Sequence, residues 1–395
     1  MSKKVLLISP QPFFQWRGSP IRVAFNVQAL SELGYEVDLL TMPFGEDKIV
    51  PGVNLIRIPN YFKRSNIPIG PSLWKAIYDV ILFFTALKMA KKNKYSVVHG
   101  VEEAGLFAIA AAGIHKSKVV YEKHSDPSSY KKGILRNLLM WLYGSVEKFM
   151  VRKADAIIGT GPGLVEQARV YAKPDTPVYH IFDIPSSLVE ADPAKAASLA
   201  GTLRSAVDEV LVAYVGSFAV YQGVDLLFQA IELVVQADPK VKFVIVGGTK
   251  SEIALRLDCL KKNDHQDNVL FLGTVPPDEL PAYLLASDIL VSPRISGVNT
   301  PLKLLDYLKA GKPVVATDLP CNHLILNEET AVFAQPIPDE FAGAIIDLAT
   351  NPDKRNKLGA NARKLIDELY NYTEYKKRLG VCYSVMLDSH LVGSN

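Results

Sequence analysis

Charged and hydroxyl side chains converge in one stretch, Ser292-Pro-Arg-Ile-Ser-Gly-Val-Asn-Thr-Pro-Leu-Lys-Leu-Leu-Asp-Tyr-Leu-Lys-Ala-Gly-Lys-Pro-Val-Val-Ala-Thr317. Arg294 and Lys303 offer two cations, Asn299 and Thr300 polar groups between them, and Asp306 a carboxylate. Cations beside free backbone N–H groups suit a phosphate, and a carboxylate beyond them suits hydroxyls. The elements that must position these groups are legible in the same residues. Thr300 is expected as a helix N-cap, Pro301 as the first helical residue, and Gly311 as the left-handed residue that ends the helix. Backbone N–H groups at 297–302 would then point out of the helix start, where the dipole is positive. On spacing alone, Lys303 and Asp306 read equally well as an ordinary i, i+3 surface pair.

The 395 residues exceed what one hydrophobic core holds and fit two domains. With 49% hydrophobic and 22% charged residues the chain reads as globular. A formal charge of +3 argues against a dedicated nucleic-acid binder. Cys259, Cys321 and Cys382 stand far apart without metal-binding spacing, so neither a zinc site nor a disulfide framework is expected, and a reducing cytoplasm is. The start enters a strand directly, with too short an apolar core for a signal peptide. No run approaches the roughly 18–20 apolar residues a membrane span needs, and the nearest, 76–90, is broken by Asp79 and Lys88.

Short β-branched runs alternate with helix-length amphipathic segments, the pattern of βα units and parallel sheets. Strands are expected at 5–9, 37–41, 97–99, 119–122 and 156–159, then at 210–215, 241–246, 269–272, 289–292 and 314–317. A domain boundary is placed near 184–208, giving a first domain of 1–190, a second of 208–370, and a final helix within 371–395. The loop after the first strand contains Gly18 but not the three close glycines of a dinucleotide fingerprint, which demotes a nicotinamide enzyme. A long loop at the carboxyl end of a strand is a place for ligand contacts, here through Gly18, Ser19 and Arg22, with a plain connection as the alternative.

His99 and His124 end two first-domain strands, with Glu102, Glu103 and Asp126 close by in sequence. Isolated histidines are more often structural than functional, but strand carboxyl ends are where doubly wound sheets bind ligands. Residues 61–95 and 130–152 interleave aromatic and basic groups, among them Trp74, Phe84, Lys91, Lys131, Lys132, Trp141 and Arg152. Core-packed helices with a solvated basic rim account for this, as does docking on an anionic membrane face.

The 292–317 stretch resembles the donor-binding segment of the family-4 retaining glycosyltransferases of GT-B architecture. There, a Glu, seven residues and a second Glu precede an Ala-Gly-Lys-Pro-Val-Val-Ala-Thr-like strand. The second Glu position falls here on Asp306 and the first on Val298. In the family the first faces the sugar and the second holds the ribose, which implies ribose binding by Asp306. The segment Tyr214-Val-Gly-Ser-Phe-Ala-Val-Tyr-Gln-Gly resembles one in which an Arg and a Lys clamp the donor diphosphate, and those places hold Ser217 and Gln222 here. Gly216, Gly247 and Gly248 match positions that let backbone approach the nucleotide. His124 matches a His near the transferred sugar.

The resemblance implies two Rossmann-like doubly wound parallel-sheet domains facing across a cleft, with the final helix packing back on the first. It further implies metal-independent glycosyl transfer with retention, without cofactor, from a nucleotide-sugar donor to a glycan, lipid-linked or small-molecule acceptor. His124 and Lys303 are expected to serve catalysis. Gly18, Ser19, Gly216, Ser217, Gln222, Gly247, Gly248, Arg294, Asn299, Thr300 and Asp306 are expected to bind donor, and Glu103 and Asp126 acceptor. Arg294 and Lys303 supply the cations missing at 217 and 222. A cytoplasmic protein with peripheral contact at the inner membrane face fits this picture. A nucleotide-sugar epimerase or phosphorylase on the same fold, and a non-catalytic scaffold, remain rivals.

Overall fold

A computed structural model describes residues 3–67, 72–126, 134–297 and 300–388, without side chains at 134–140 and 142. The chain forms two α/β units, one taking residues to Asp183 and again from Thr373, the other Ile184–Tyr372.

Unit 1 runs β1 (Lys4–Ser9), α1 (Gly18–Glu32), β2 (Glu36–Thr41), β3 (Val53–Arg57), α2 (Leu73–Lys92), β4 (Val97–Val101), α3 (Ala104–Ala112), β5 (Lys118–Lys123), α4 (Ile134–Lys153), β6 (Ala156–Gly159), α5 (Pro162–Tyr171) and β7 (Val178–His180). Its seven strands are parallel in the order β3-β2-β1-β4-β5-β6-β7. Strand order reverses beside β1, so the loops after β1 and β4 open at the point where such sheets bind ligands. Val98 and Tyr121 face a core shared with α2, α3 and α4. Because side chains alternate, His99 and Glu122 face the other way, towards α1 and the final helix.

Unit 2 runs α6 (Pro193–Leu203), β8 (Val210–Val215), α7 (Val224–Ala237), β9 (Val241–Val246), α8 (Lys250–Lys262), β10 (Val269–Gly273), α9 (Leu280–Ala286), β11 (Ile289–Ser292), α10 (Lys303–Lys309), β12 (Val314–Thr317), β13 (Ala331–Ala334), α11 (Pro338–Thr350) and α12 (Pro352–Glu368). Six parallel strands lie in the order β10-β9-β8-β11-β12-β13, with reversal beside β8. Buried side chains of α7 and α11 cover one face, and those of α10 and α12 the other. The remaining helix, α13 (Tyr372–Asp388), belongs to unit 1, where Tyr375 and Tyr383 are fully buried. No described helix is long and apolar enough to cross a membrane.

Candidate functional site

The donor-side groups of unit 2 gather at the carboxyl ends of β8, β9 and β11. Gly216 follows β8 and Gly247 follows β9, and their backbones touch. Gly247 has φ +120°, and a Cβ there would lie 2.0 Å from the Gly216 carbonyl oxygen. That close approach leaves a side-chain-free ledge, with Gly248 packed on the Phe218 ring. Gly247→Ala is expected to lower the stability of unit 2 by about 1–3 kcal/mol through overpacking. A fall in the urea midpoint checks this, and an unchanged midpoint would mean the ledge yields freely.

Lys303 reaches this ledge from α10. Its Nζ lies 3.1 Å from Gln222 Oε1 and 4.5 Å from the centre of the Tyr214 ring. Burial, and then the neighbouring charge of Arg294, pull its pKa down to about 7. Arg294 itself is buried, donates from Nε to Ser296 O at 2.7 Å and lies 5.4 Å from the Tyr221 ring. Gly297, at φ +122°, makes room for it, since a Cβ there would sit 2.1 Å from the guanidinium. Two cations are held near each other at some electrostatic cost, and among the described residues the lysine meets a neutral amide and a ring, an arrangement that suits an anion. Arg294 follows β11 and Lys303 opens α10, so both expected cations lie at the carboxyl edge of the unit 2 sheet.

Other expectations in this stretch need correction. The helix starts at Lys303 with Leu302 at the N-cap position and no side-chain cap, so Thr300 does not cap it and Pro301 lies in the turn before it. At seven residues α10 has a weak dipole, and the charge for an anion comes from Arg294 and Lys303. Gly311 does adopt the left-handed conformation, φ +66°. Lys303 and Asp306 do not share one face of contacts. Asp306 Oδ1 instead accepts from the Ser186 N–H at 2.7 Å and the Ser186 hydroxyl at 3.0 Å. It borders a pocket of about 240 Å³ lined by Ser186, Leu280, Leu284, Lys309 and Arg363. Burial raises its pKa to about 6, against the opposing Ser186 bonds. Ser217 is exposed, with its carbonyl accepting from the Tyr214 hydroxyl. Asn299 and Val298 lie outside the described residues, as do Lys131 and Lys132.

In unit 1 the loop after β1 meets the end of β5. Gly18 opens α1, and the Ser19 hydroxyl lies 2.8 Å from Nδ1 of His124. The backbone N–H of His124 donates to Glu102 Oε1 at 2.9 Å. Glu102 sits at φ +52°, a strained conformation for a non-glycine residue. Burial raises its pKa to about 6. The two expected acceptor residues are tied elsewhere: Glu103 pairs with Lys75, and Asp126 accepts from Gln167 at 3.0 Å.

Sequence reasoning missed Glu122. Its fully buried carboxylate is the hub of unit 1, with Arg22 Nε and His124 Nε2 (3.2 Å) on Oε1, and Asn26 Nδ2 (2.7 Å) and His99 Nε2 (2.9 Å) on Oε2. Both imidazole nitrogens are within reach of the oxygens but off the line of a directed hydrogen bond. Burial alone would raise the carboxyl's pKa, but Arg22, and then His124, outweigh it and hold the group well below the usual carboxylate range. Two signals in the sequence could have found it. Glu122 and His124 are two apart at the end of an expected strand, and Arg22 and Asn26 are four apart on a helix, so each pair shares a face.

Comparison with known proteins follows the same division. Residues 17–181 match the Glycosyltransferase Family 4 domain, and residues 200–365 match Glycosyl transferases group 1. The putative glycosyltransferase YtcC of Bacillus subtilis is 27% identical over 46% of each chain, so this chain spans about half the length of that relative. The O-antigen chain mannosyltransferase C of Escherichia coli is 22% identical over 69% of this chain and 70% of its own. Among solved structures, sucrose-phosphate synthase of Thermosynechococcus elongatus superposes with TM-score 0.78 at 20% identity, covering 98% of this chain and 99% of that one. Anabaena HepE, solved with UDP and glucose, does so with TM-score 0.72 at 14% identity, covering 97% and 99%. Two parallel-sheet units, each matched by its own half of the family, leave one assignment: this chain belongs to the family-4 glycosyltransferases and has the GT-B fold.

Proposed function

We propose that the sugar comes from a nucleotide-sugar donor whose diphosphate rests against Arg294 and Lys303 of unit 2, and that it passes with retention to a glycan or lipid-linked acceptor on unit 1. The observation that carries this reading is the depressed Lys303 beside Arg294, next to the close contact of Gly216 with Gly247. A neighbour of the same fold solved with UDP and glucose supports it. The two cations and Gln222 stabilise the departing diphosphate, where negative charge grows in the transition state, so the reading needs no metal ion. Asp306 keeps acceptor capacity beyond its two Ser186 bonds and receives the ribose hydroxyls. On this reading His124, at the end of β5, is the unit 1 residue that serves the transferred sugar. Retention follows from attack on the face the diphosphate leaves. Incubation with a panel of nucleotide sugars and lipid extracts tests this: a glycosylated product with the anomeric configuration of the donor, with release of nucleoside diphosphate, is expected. An inverted product would refute retention, and a sugar isomer or no nucleotide binding would refute the reading.

The surface of unit 1 also suits attachment at a lipid surface. Along α2, Leu73, Val80 and Phe84 are exposed and give way to Lys88 and Lys91. Along α4, exposed Trp141 and Phe149 give way to Arg152 and Lys153. Both helices flank α3 and each leads into a parallel strand, so their basic ends collect at the same edge of the sheet. Each near-surface cation contributes about 1 kcal/mol on an anionic leaflet. Replacing Phe84 and Trp141 together by Ser is expected to cut co-sedimentation with anionic phospholipid vesicles about tenfold or more. Unchanged co-sedimentation would remove the membrane from the proposal.

A further inference from the structure

A continuous line of polar contacts runs through unit 1 from its last helix to its first loop. The Tyr383 hydroxyl of α13 lies 2.8 Å from Nδ1 of His99, and Nε2 of His99 is 2.9 Å from Glu122 Oε2. Glu122 Oε1 is 3.2 Å from Nε2 of His124, whose Nδ1 lies 2.8 Å from the Ser19 hydroxyl. Beside this line, the Tyr375 hydroxyl donates to Asn26 Oδ1 at 2.6 Å, and Asn26 donates in turn to Glu122. Arg22 bridges Glu122 and Asp183.

With both imidazoles neutral, the protons on this line have one consistent arrangement. Glu122 is an anion, able only to accept, so the nitrogen that each imidazole turns to it carries the hydrogen. Nδ1 of each ring then has the lone pair, and the hydroxyls of Tyr383 and Ser19 donate to it. Each carboxylate oxygen has two nitrogens within reach, those of Arg22 and His124 on Oε1 and those of Asn26 and His99 on Oε2. His124 thereby presents an acceptor, not a donor, on the side of the loop after β1.

We propose that Glu122 is a positioning residue for His124: it fixes the ring in the Nε2–H tautomer with Nδ1 turned to Ser19, and α13 holds Glu122 in place through Tyr383–His99 and Tyr375–Asn26. The role of His124 beside the sugar rests on the reading given above, whereas the tautomer does not depend on it. In this arrangement Nδ1 is ready to accept from a hydroxyl of the bound sugar or acceptor in place of Ser19. The buried carboxylate touches no substrate itself. The C-terminal helix is thus part of the machinery of unit 1 as well as of its packing.

Full-length protein labelled with 15N-histidine reads the tautomer directly by NMR, with His124 assigned from the spectrum of His124→Asn. The wild type is expected to show His124 almost wholly as the Nε2–H form. Glu122→Gln is expected to give a mixture of tautomers and to lower kcat about tenfold or more, with KM for the donor within about threefold. A merely structural role would lower the unfolding temperature but leave the tautomer of the folded fraction alone. If Glu122→Gln does not fold, Tyr383→Phe and Ser19→Ala, which leave the buried charges in place, decide the matter by partial mixing at His124. An Nδ1–H tautomer in the wild type, or a tautomer unmoved by any folded variant, overturns the proposal. Failure of the transferase reading shows separately, as a wild type that makes no glycosylated product.

Discussion

Lys303→Ala is expected to weaken binding of nucleoside diphosphates by about 10- to 100-fold, while Lys309→Ala stays within about threefold of wild type. The difference follows from what each ammonium touches. Among the described residues Lys303 faces a neutral amide and an aromatic ring next to a second cation, so its charge is available to an anion. Charge-assisted hydrogen bonds to a phosphate contribute about 1.5–3 kcal/mol, and each 1.4 kcal/mol is tenfold in affinity. Lys309, two turns along the same short helix, donates to the carbonyls of Ser187 and Val189 at 2.8 and 2.9 Å and lies 3.5 Å from Glu190. Its loss should be felt as a lower unfolding temperature of unit 2. Titration calorimetry with the same diphosphate on both variants makes the comparison. Equal losses would show that α10 matters for folding and not for holding phosphate.

Donor affinity is also expected to peak between about pH 6 and pH 7. Lys303, held near 7, is protonated below that value and neutral above it. As pH rises past 7, affinity for the diphosphate should fall by up to about tenfold per unit, until the pKa of the bound form is reached. Asp306, raised to about 6, is ionised above that value and becomes a poorer acceptor for ribose hydroxyls as pH falls through it. Lys303→Ala should flatten the alkaline limb and Asp306→Asn the acid limb. The unliganded protein carries the matching signature. The folded pKa of Lys303 lies below its unfolded value, so the folded state binds fewer protons between about pH 7 and 10.4, and this group favours folding increasingly as pH rises across that window. A flat affinity profile from pH 5.5 to 8.5 would contradict the placement of both groups.

The parallel strands at the centre of each sheet are legible as runs of Val, Ile and Leu because both their faces are buried. Three strands escaped that reading: β3, β7 and β13. Each is a sheet edge, and each has half-buried residues where the interior strands are buried. Val-Asn-Leu-Ile-Arg and Val-Tyr-His carry no apolar run to detect. Arg294 and Lys303 were legible as cations flanking a turn, because proline and glycine fix the chain on either side. Asp306 was legible as a carboxylate near them, but its partner Ser186, far away in sequence, was not. Glu122 was hidden for the same reason: its partners come from α1, β4 and the residue just past β5, and only folding brings them together. Resemblance pointed to unit 2 as the nucleotide side, and the geometry replaces the cap expected at Thr300 with two cations beside a two-turn helix.

Hydrogen–deuterium exchange with saturating nucleoside diphosphate tests most directly where that anion sits. The account predicts slowed exchange in peptides of unit 2 covering 214–224, 247–252 and 292–306, lost together in Lys303→Ala at the same ligand concentration. Binding proved by calorimetry, but with exchange at 292–306 unaltered, would contradict it.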